Sequence, residues 1–357
     1  MNHFSLIRSK LEEYGIDAML LTEEFNRYYA TDFSSIGTDA VAIVTKDWNY
    51  YFTDSRYTVA AQRYVTDAEI SITDTGCGYV ELINSVIEKH GIRTMGFDDA
   101  YMTVAAFRDY SGKLNCALSP ASKLMEELRT VKDEEEIARL ISAQRTAEQA
   151  LTETLEFIRP GLTEREVAAY LQYRMLVHGA DKNSFDPIVV SGVNTTMPHG
   201  LPSDKVIENG DFVTMDFGCL KNGYCSDMTR TVAVGYATDE MREVYNTVLL
   251  AQTTAIAATK AGCTGKEIDG IARKIIADAG YGEYFGHGYG HGVGVEIHEA
   301  PSVSQRNDKP LPAGAVISAE PGIYLPGKLG VRIEDVIILT ETGCEDITLA
   351  PKELIIL

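Results

Sequence analysis

The chain has 357 residues, of which 45% are apolar and 24% are charged, as in a globular protein long enough for two domains. Its 32 Lys and Arg residues against 52 Asp and Glu residues give a formal charge of −20. An acidic surface repels phosphate backbones and anionic lipids, which argues against nucleic acid and membrane as partners. Glu12 and Glu13 stand where a signal peptide would need its apolar stretch, so we expect a cytoplasmic protein.

The first part of the chain alternates patterns typical of helices and strands, as in an α/β unit. In chain order we predict a helix at Phe4–Tyr14, strands at 18–22, 40–45 and 49–53, and helices at Tyr57–Tyr64 and Val80–His90. A charged stretch then opens a long helix that has Asp133 as its N-cap. We place the two domains at residues 1–127 and 128–357.

The second domain contains an internal repeat. Helices predicted at 133–158 and 162–179 recur at 240–260 and 263–280. Gly161, Thr163, Glu166 and Gly179 return 101 residues later as Gly262, Thr264, Glu267 and Gly280. Residues 210–218 align with 314–322, and residues 223–227 align with 330–334. Each copy therefore supplies a strand that ends in an acid, a turn, and a returning strand that carries a second acid. A pseudo-twofold axis would bring both pairs of acids to one central site.

Asp216 and Asp227 form the first pair of acids. A four-residue turn at 220–223 would place them opposite each other in an antiparallel ladder, with their Cβ atoms ~5 Å apart. Two ionised carboxylates at that distance repel unless a cation lies between them. The alternative is that one of them is exposed to solvent or is paired with Arg230.

Glu320 and Glu334 repeat this geometry on apolar strands, where an unpaired acid is costly. Buried charges are paired or bind metal, so four acids from two equivalent hairpins predict a site for multivalent cations.

Histidines also gather in the second domain. His291 and His298 lie in the glycine-rich run 286–298, and His199 occupies the matching place in the first copy of the repeat. His199 precedes Asp216 by 17 residues and His298 precedes Glu320 by 22, so the two could flank the metals. His291 has no counterpart and is the best additional ligand. Dinucleotide, phosphate-loop, HExxH and GxSxG motifs fail on inspection.

These residues resemble the pita-bread metallopeptidases of family M24, specifically the aminopeptidase P and prolidase branch. The resemblance covers essentially the whole chain. It rests on five positions and their flanking segments, and these positions are Asp216, Asp227, His291, Glu320 and Glu334. Those segments are 197–200, 223–231, 290–294, 298–301, 319–324 and 330–335. The implied fold is α+β, with a C-terminal pita-bread domain that has an internal pseudo-twofold repeat. A smaller α/β creatinase-type N-terminal domain precedes it.

The resemblance also implies the metal ligands. Asp227 and Glu334 would bridge two divalent ions, Asp216 would chelate one ion, and His291 with Glu320 would hold the other. Four carboxylates with one imidazole form an oxygen-rich site suited to manganese, with cobalt, zinc or iron as alternatives.

In this family a hydroxide that bridges the metals attacks the scissile carbonyl. The resemblance makes Glu320 the proton acceptor, which passes the proton to the leaving proline nitrogen. His199 and His298 would stabilise the oxyanion and hold the substrate. Arg332 would contact the substrate or a ligand carboxylate.

The implied reaction is hydrolysis of the bond between an N-terminal residue and a following proline. The net charge disfavours a cationic wall for the carboxylate of a dipeptide, so we expect the aminopeptidase P type, with a Xaa-Pro dipeptidase (prolidase) as the alternative. A non-catalytic binding module or a creatinase-type hydrolase should have lost metal ligands, and all five are present. The expected partners are peptides with proline at the second position and a second copy in a homodimer.

Overall fold

The computed structural model describes residues 2–357 and divides into two compact units, one ending at Arg129 and the other beginning at Thr130. The first unit is built on a mixed six-stranded sheet in the order β4-β3-β2-β1-β5-β6. The strands are β1 (Ala18–Leu21), β2 (Ala40–Thr45), β3 (Asn49–Thr53), β4 (Glu69–Ile72), β5 (Thr94–Phe97) and β6 (Ala117–Pro120). The helices are α1 (Phe4–Lys10), α2 (Glu24–Thr31), α3 (Thr58–Tyr64), α4 (Tyr79–His90), α5 (Val104–Lys113) and α6 (Ser122–Thr130), which ends at the boundary.

Two apolar cores cover the two faces of this sheet. Met19 and Leu21 of β1 pack into one core with α1 and α2, and Leu20 of the same strand packs into the other with α4. This alternation is the period of two that a strand imposes on its side chains. The predicted strands and helices of this unit are confirmed, except that α1 ends at Lys10 because the chain turns there to enter β1.

The second unit holds four long helices and several small sheets. The helices are α7 (Glu134–Phe157), α8 (Glu164–Val177), α9 (Asp239–Ala258) and α10 (Gly265–Asp278), with short 3₁₀ helices at Gly192–Thr196 and Gly282–Tyr284. The strands before α9 are β7 (Lys182–Asn183), β8 (Ile188–Ser191), β9 (Phe212–Phe217), β10 (Cys219–Lys221), β11 (Tyr224–Cys225) and β12 (Met228–Ala233). The later strands are β13 (Gly290–Gly292), β14 (Glu299–Val303), β15 (Val316–Ala319), β16 (Gly322–Leu325), β17 (Leu329–Arg332), β18 (Asp335–Leu339) and β19 (Cys344–Asp346).

The predicted repeat is visible in this topology. The sheet order β12-β9-β8 of the first copy corresponds to the central strands β18-β15-β13 of the second. Helices α7 and α8 close one apolar core over the first set, and α9 and α10 close another over the second. Both α8 and α10 begin with the predicted capping box. A threonine hydroxyl accepts from the third helical N–H, and the threonine N–H donates to the glutamate carboxylate.

The two copies of the repeat are joined at the centre of this unit. Thr229 of β12 and Glu334, just after β17, form an isolated antiparallel bridge in which the Glu334 N–H donates to the Thr229 carbonyl at 3.1 Å. The Thr231 hydroxyl donates to the Arg332 carbonyl at 3.0 Å. The strands that carry acids from both copies are therefore hydrogen-bonded to each other.

Across residues 2–357, we find no helix that combines the length and the apolar character needed to cross a bilayer.

Asp98, at the end of β5, is buried and accepts hydrogen bonds from the Asn26 side chain and the Ala100 N–H. Burial raises the pKa of this carboxyl to about 6. The native state therefore binds a proton on Asp98 more tightly than the unfolded chain does. This bound proton stabilises the native state fully below pH ~4, and the stabilisation is lost as the pH rises through about 6. We expect Asp98→Asn to reduce the fall in unfolding free energy between pH 4 and pH 7 by ~2–3 kcal/mol.

Chemical denaturation of the wild type and the variant across this pH range measures the difference. The matched control is Asp109→Asn, since Asp109 is exposed and pairs with Lys113. Parallel pH profiles for the wild type and Asp98→Asn would contradict the prediction.

Candidate metal centre

The first hairpin differs from its predicted register. The turn contains two residues, Asn222 and Gly223, both with positive φ (51° and 76°), rather than four. Such a turn is favoured by the Asn-Gly sequence and by the strand twist. It pairs Asp216 with Thr229, so the prediction that Asp216 lies directly opposite Asp227 is wrong. Asp227 follows β11 and enters the same cavity from a position two residues out of register.

The second hairpin does have the predicted geometry. Ala319 pairs with Asp335 on one side of the acids, and Gly322 pairs with Arg332 on the other. The same register places Glu320 opposite Glu334 in the short gap between the two ladders.

All the predicted site residues line one cavity of about 400 Å³ in the second unit. It brings together the five predicted metal ligands, the two other predicted histidines and Arg332. The lining residues with polar side chains are Asp186, His199, Asp216, Asp227, His287, His291, His298, Glu320, Arg332 and Glu334. The apolar part of the wall includes Phe185, Ile188 and Leu201. The cavity is therefore acidic at its base and apolar along one side.

The acids at the base repel one another strongly. Burial and the neighbouring carboxylates raise the pKa values of Asp227 and Glu334 well above the usual range of a carboxyl group. Burial also raises the pKa of Glu320 to about 7. Ligand atoms of Asp227, His291 and Glu334 lie within 4.8 Å of one another. A divalent cation at this point would offset the repulsion, so the donor set fits a metal centre.

The ring of His291, on β13, is oriented as a metal ligand would be. Its Nδ1 lies 3.1 Å from the Gly292 carbonyl, which can only accept, so Nδ1 carries the proton. The lone pair of Nε2 then faces Glu320 and Asp227, at 3.4 and 3.6 Å from their oxygens. Burial lowers the pKa of His291, which keeps the imidazole neutral. A hydrogen bond from one ring nitrogen to a carbonyl is the usual way in which proteins fix a metal-binding histidine.

Arg332 is buried beside the acids. Its Nη2 is 2.5 Å from Asp216, its Nη1 is 2.8 Å from the Tyr324 hydroxyl, and its Nε donates to the Thr229 hydroxyl at 3.1 Å. Of the two contacts expected for Arg332, the geometry shows the one to a predicted ligand carboxylate. The guanidinium also partly offsets the negative charge of the cavity.

The histidines of the wall differ in environment. His199 is exposed at the cavity mouth, and the His298 ring lies 4.1 Å from the His291 ring between centroids. Burial lowers the pKa of His298 to about 4, so this ring is neutral at pH 7. His287, for which the sequence predicts no role, also lines the cavity. Its Nε2 lies 2.9 Å from the hydroxyl of Tyr324, another residue that was missed.

A second arginine lies behind the acids. Arg230 donates to the Glu334 carbonyl at 2.7 Å and forms a buried ion pair with Asp335, also at 2.7 Å. The same guanidinium donates to the carbonyls of Ala350 and Pro351. The alternative that Arg230 pairs with one of the first two acids is therefore wrong, because its partner is Asp335.

Comparisons with known proteins agree with this geometry. The pattern of metallopeptidase family M24 matches residues 138–341, and that of the creatinase/prolidase N-terminal domain matches residues 5–131. A solved Xaa-Pro dipeptidase from Bacillus anthracis is 44% identical and superposes with a TM-score of 0.94, with 99% of each chain covered. A Xaa-Pro dipeptidase from Pyrococcus horikoshii is 38% identical over 97% of this chain and 96% of its own length. The crystal structure of an X-Pro aminopeptidase from Thermotoga maritima is 38% identical, with a TM-score of 0.93 and all of both chains covered. These matches confirm the predicted fold class.

The repulsion at the base of the cavity predicts opposite effects of one substitution. Asp227→Asn keeps the shape of the side chain but cannot ionise, so it removes the burial cost and the repulsion that raise the pKa of Asp227. The metal-free variant should unfold at a higher temperature than the metal-free wild type, by about 2–4 °C for each kcal/mol of repulsion removed. Its divalent metal content should fall well below that of the wild type. Thermal unfolding after dialysis against EDTA and metal analysis by mass spectrometry measure the two effects.

Asp278→Asn is the control, because Asp278 is exposed on α10 and pairs with Lys274. Full metal occupancy in Asp227→Asn would contradict the assignment of Asp227 to the metal centre.

Proposed function

The chain belongs to metallopeptidase family M24 and carries the creatinase/prolidase N-terminal domain, and from this premise we propose that it is a Xaa-Pro dipeptidase. It would hydrolyse the bond between an N-terminal residue and the proline that follows. The observation that carries the proposal is the complete set of four acids and one histidine at the base of a single cavity. The full set also disfavours a non-catalytic binding module and a creatinase-type hydrolase.

The expectation of an aminopeptidase P preference is not supported. Two of the similar proteins described above are Xaa-Pro dipeptidases, which favours the alternative. The net charge of −20 was a poor guide because the local field of a cavity depends on the groups that line it. Arg332 is the one Arg or Lys side chain among the described residues that line this cavity, and it is buried. An aminopeptidase is the second candidate, because the X-Pro aminopeptidase from Thermotoga and the dipeptidase from Pyrococcus have the same sequence identity to this chain, 38%.

Two divalent metal ions would be held by Asp216, Asp227, His291, Glu320 and Glu334. When bound, such ions supply Lewis acidity and lower the pKa of water, so that a nucleophile forms at neutral pH. We propose manganese as the metal, because four carboxylates with one imidazole form a hard, oxygen-rich ligand set that suits this ion.

The protein's own groups would move the proton and hold the substrate. Glu320 would take the proton of the attacking water and deliver it to the leaving proline nitrogen. His298 is neutral at pH 7 and has an N–H to donate, so together with His199 it would stabilise the oxyanion of the tetrahedral state. Arg332 would meet the free carboxylate of the dipeptide, which requires a cation near the proline end of the cavity.

We further propose that the protein acts in the cytoplasm as a homodimer, following the family resemblance.

The length of the substrate tests the choice between the two candidates. The contact of a free carboxylate with an arginine contributes about 1.5–3 kcal/mol, so kcat/KM for Ala-Pro should exceed that for Ala-Pro-Ala by about 10–100-fold. Release of alanine from both peptides, with Mn²⁺ added after removal of metal by EDTA, measures the ratio. Co²⁺, Zn²⁺ and Fe²⁺ added in separate samples test the choice of metal. Equal or faster cleavage of the tripeptide would make the protein an aminopeptidase of the P type.

The two substrate histidines give a separate prediction. Alanine at His298 or at His199 should lower kcat by about 10²–10³-fold, the usual effect of removing one oxyanion donor. The metal content should stay at the wild-type level. His178→Ala is the control, since this ring pairs with Glu153 and does not line the cavity. Loss of metal from either variant would show that the histidine is a ligand rather than a donor to the substrate.

A further inference from the structure

Glu164, the first residue of α8, is a fully buried acid, and the hydrogen-bond partners of its carboxylate all come from the segment 191–203. Its Oε1 accepts from the N–H and hydroxyl of Ser191, at 2.6 and 2.9 Å, and from the Asn194 side chain at 3.0 Å. Its Oε2 accepts from the N–H and hydroxyl of Ser203, at 3.0 and 2.6 Å. One carboxylate therefore binds both ends of the segment 191–203, and His199 lies within that segment.

We propose that Glu164 is a positioning residue for His199. Its carboxylate closes residues 191–203 into a loop and sets the point at which His199 enters the cavity. The inference rests on the proposed function, which gives His199 its role towards the substrate.

Within residues 2–357 the Glu164 carboxylate has no direct ion pair, and hydrogen bonds stabilise it instead. The backbone N–H of Glu164 and that of Arg165 donate to the carbonyls of Lys205 and Ser203, both at 3.1 Å, so the start of α8 is docked on the far end of the loop. The positive end of the helix dipole favours an anion at this position. The Lys205 ammonium also donates to the Ser191 hydroxyl at 3.0 Å, one hydroxyl away from the carboxylate.

The closed loop packs directly on the strand that carries Arg332. The Gly330 N–H donates to the Thr195 hydroxyl at 2.7 Å, and Arg332 donates to the Pro198 carbonyl at 3.3 Å. A Cβ at Gly330 would lie 2.0 Å from the Thr195 carbonyl oxygen, so loop and strand are in close backbone contact. Arg332 is also held by Asp216, Tyr324 and Thr229, so movement of the loop would displace His199 relative to a strand that stays in place.

The second copy of the repeat shows that this acid is not needed to start the helix. The position equivalent to Glu164 is Gly265, where a Cβ would lie 2.7 Å from the Ser302 carbonyl oxygen. The capping box of α8 is formed by Thr163 and Glu166, and the same pair recurs at the start of α10. Glu164 is thus present only in the first copy, and the loop that it closes is the one that carries His199.

The experiment compares Glu164→Gln with Glu166→Gln, two identical changes on one helix turn. Glutamine at residue 164 keeps the volume but turns an amide N–H₂ towards hydrogen-bond donors. We expect kcat for Ala-Pro to fall by about 10–100-fold, because a small displacement of a catalytic group has an effect of this size, while the metal content stays unchanged. Hydrogen exchange of the amides in 191–203 should become faster. Glu166→Gln should weaken the helix cap and leave kcat within about twofold of the wild type.

A double-mutant cycle separates positioning from general destabilisation. In a His199→Ala background, Glu164→Gln should lower kcat by less than about twofold, since the group that it positions is already absent. An equal loss in both backgrounds, or a loss of metal, would overturn the proposal. If Glu164→Gln does not fold, Ser203→Ala removes one hydroxyl from the same carboxylate and should show the same pattern at smaller amplitude.

The exchange measurement keeps this inference apart from the proposed function. If the wild type does not hydrolyse Ala-Pro, the proposed function fails, and faster exchange of 191–203 in Glu164→Gln still supports the closure of the loop. If exchange is unchanged while the wild type is active, the loop closure is wrong and the proposed function stands.

Discussion

Repulsion among the buried carboxylates at the base of the cavity is the constraint on which the rest of the second unit depends. Asp227 and Glu334 are both almost fully buried, and this burial, followed by the charges of neighbouring carboxylates, raises the pKa of each. Burial of several like charges is costly unless cations and hydrogen bonds surround them. Arg332 and Arg230 provide fixed positive charge on two sides of this cluster. Bound divalent ions would offset the remaining negative charge, and a metallopeptidase can therefore keep such a cluster of acids buried.

The duplication explains how acids from distant parts of the chain meet. Each copy of the repeat contributes one hairpin, and the Thr229–Glu334 bridge joins the two. The Thr229 side chain also donates to Glu334 at 2.7 Å and accepts from Arg332, so one hydroxyl orients a residue proposed as a ligand and a residue proposed to bind substrate. The site therefore depends on the contact between the copies and not on either copy alone.

Local patterns in the sequence predicted much of this fold. Capping boxes, apolar periodicity and the aligned acids predicted the four long helices of the second unit and the repeat. In the described part of the first unit they predicted three of the six strands and three of the six helices. The register of the first hairpin was predicted wrongly because Asn222-Gly223 forms a tight turn with two positive φ values, which moves the pairing by two positions. Glu164 was missed for a different reason: its partners lie 27–39 residues away, and an acid at a helix start has an ordinary local explanation. Long-range polar contacts of this kind leave no periodic signal in a sequence.

The C-terminal residues contribute to the interior of the second unit. Arg230 donates to the carbonyls of Ala350 and Pro351, and Ile356 forms a parallel bridge with Ala233 at the end of β12. These residues follow all five proposed ligands in the chain, so they are synthesised after them. Domains fold as units once their sequence has emerged. The strand β12, which also forms the bridge to Glu334, therefore gains its last hydrogen-bonded neighbour only after residue 356 has been synthesised.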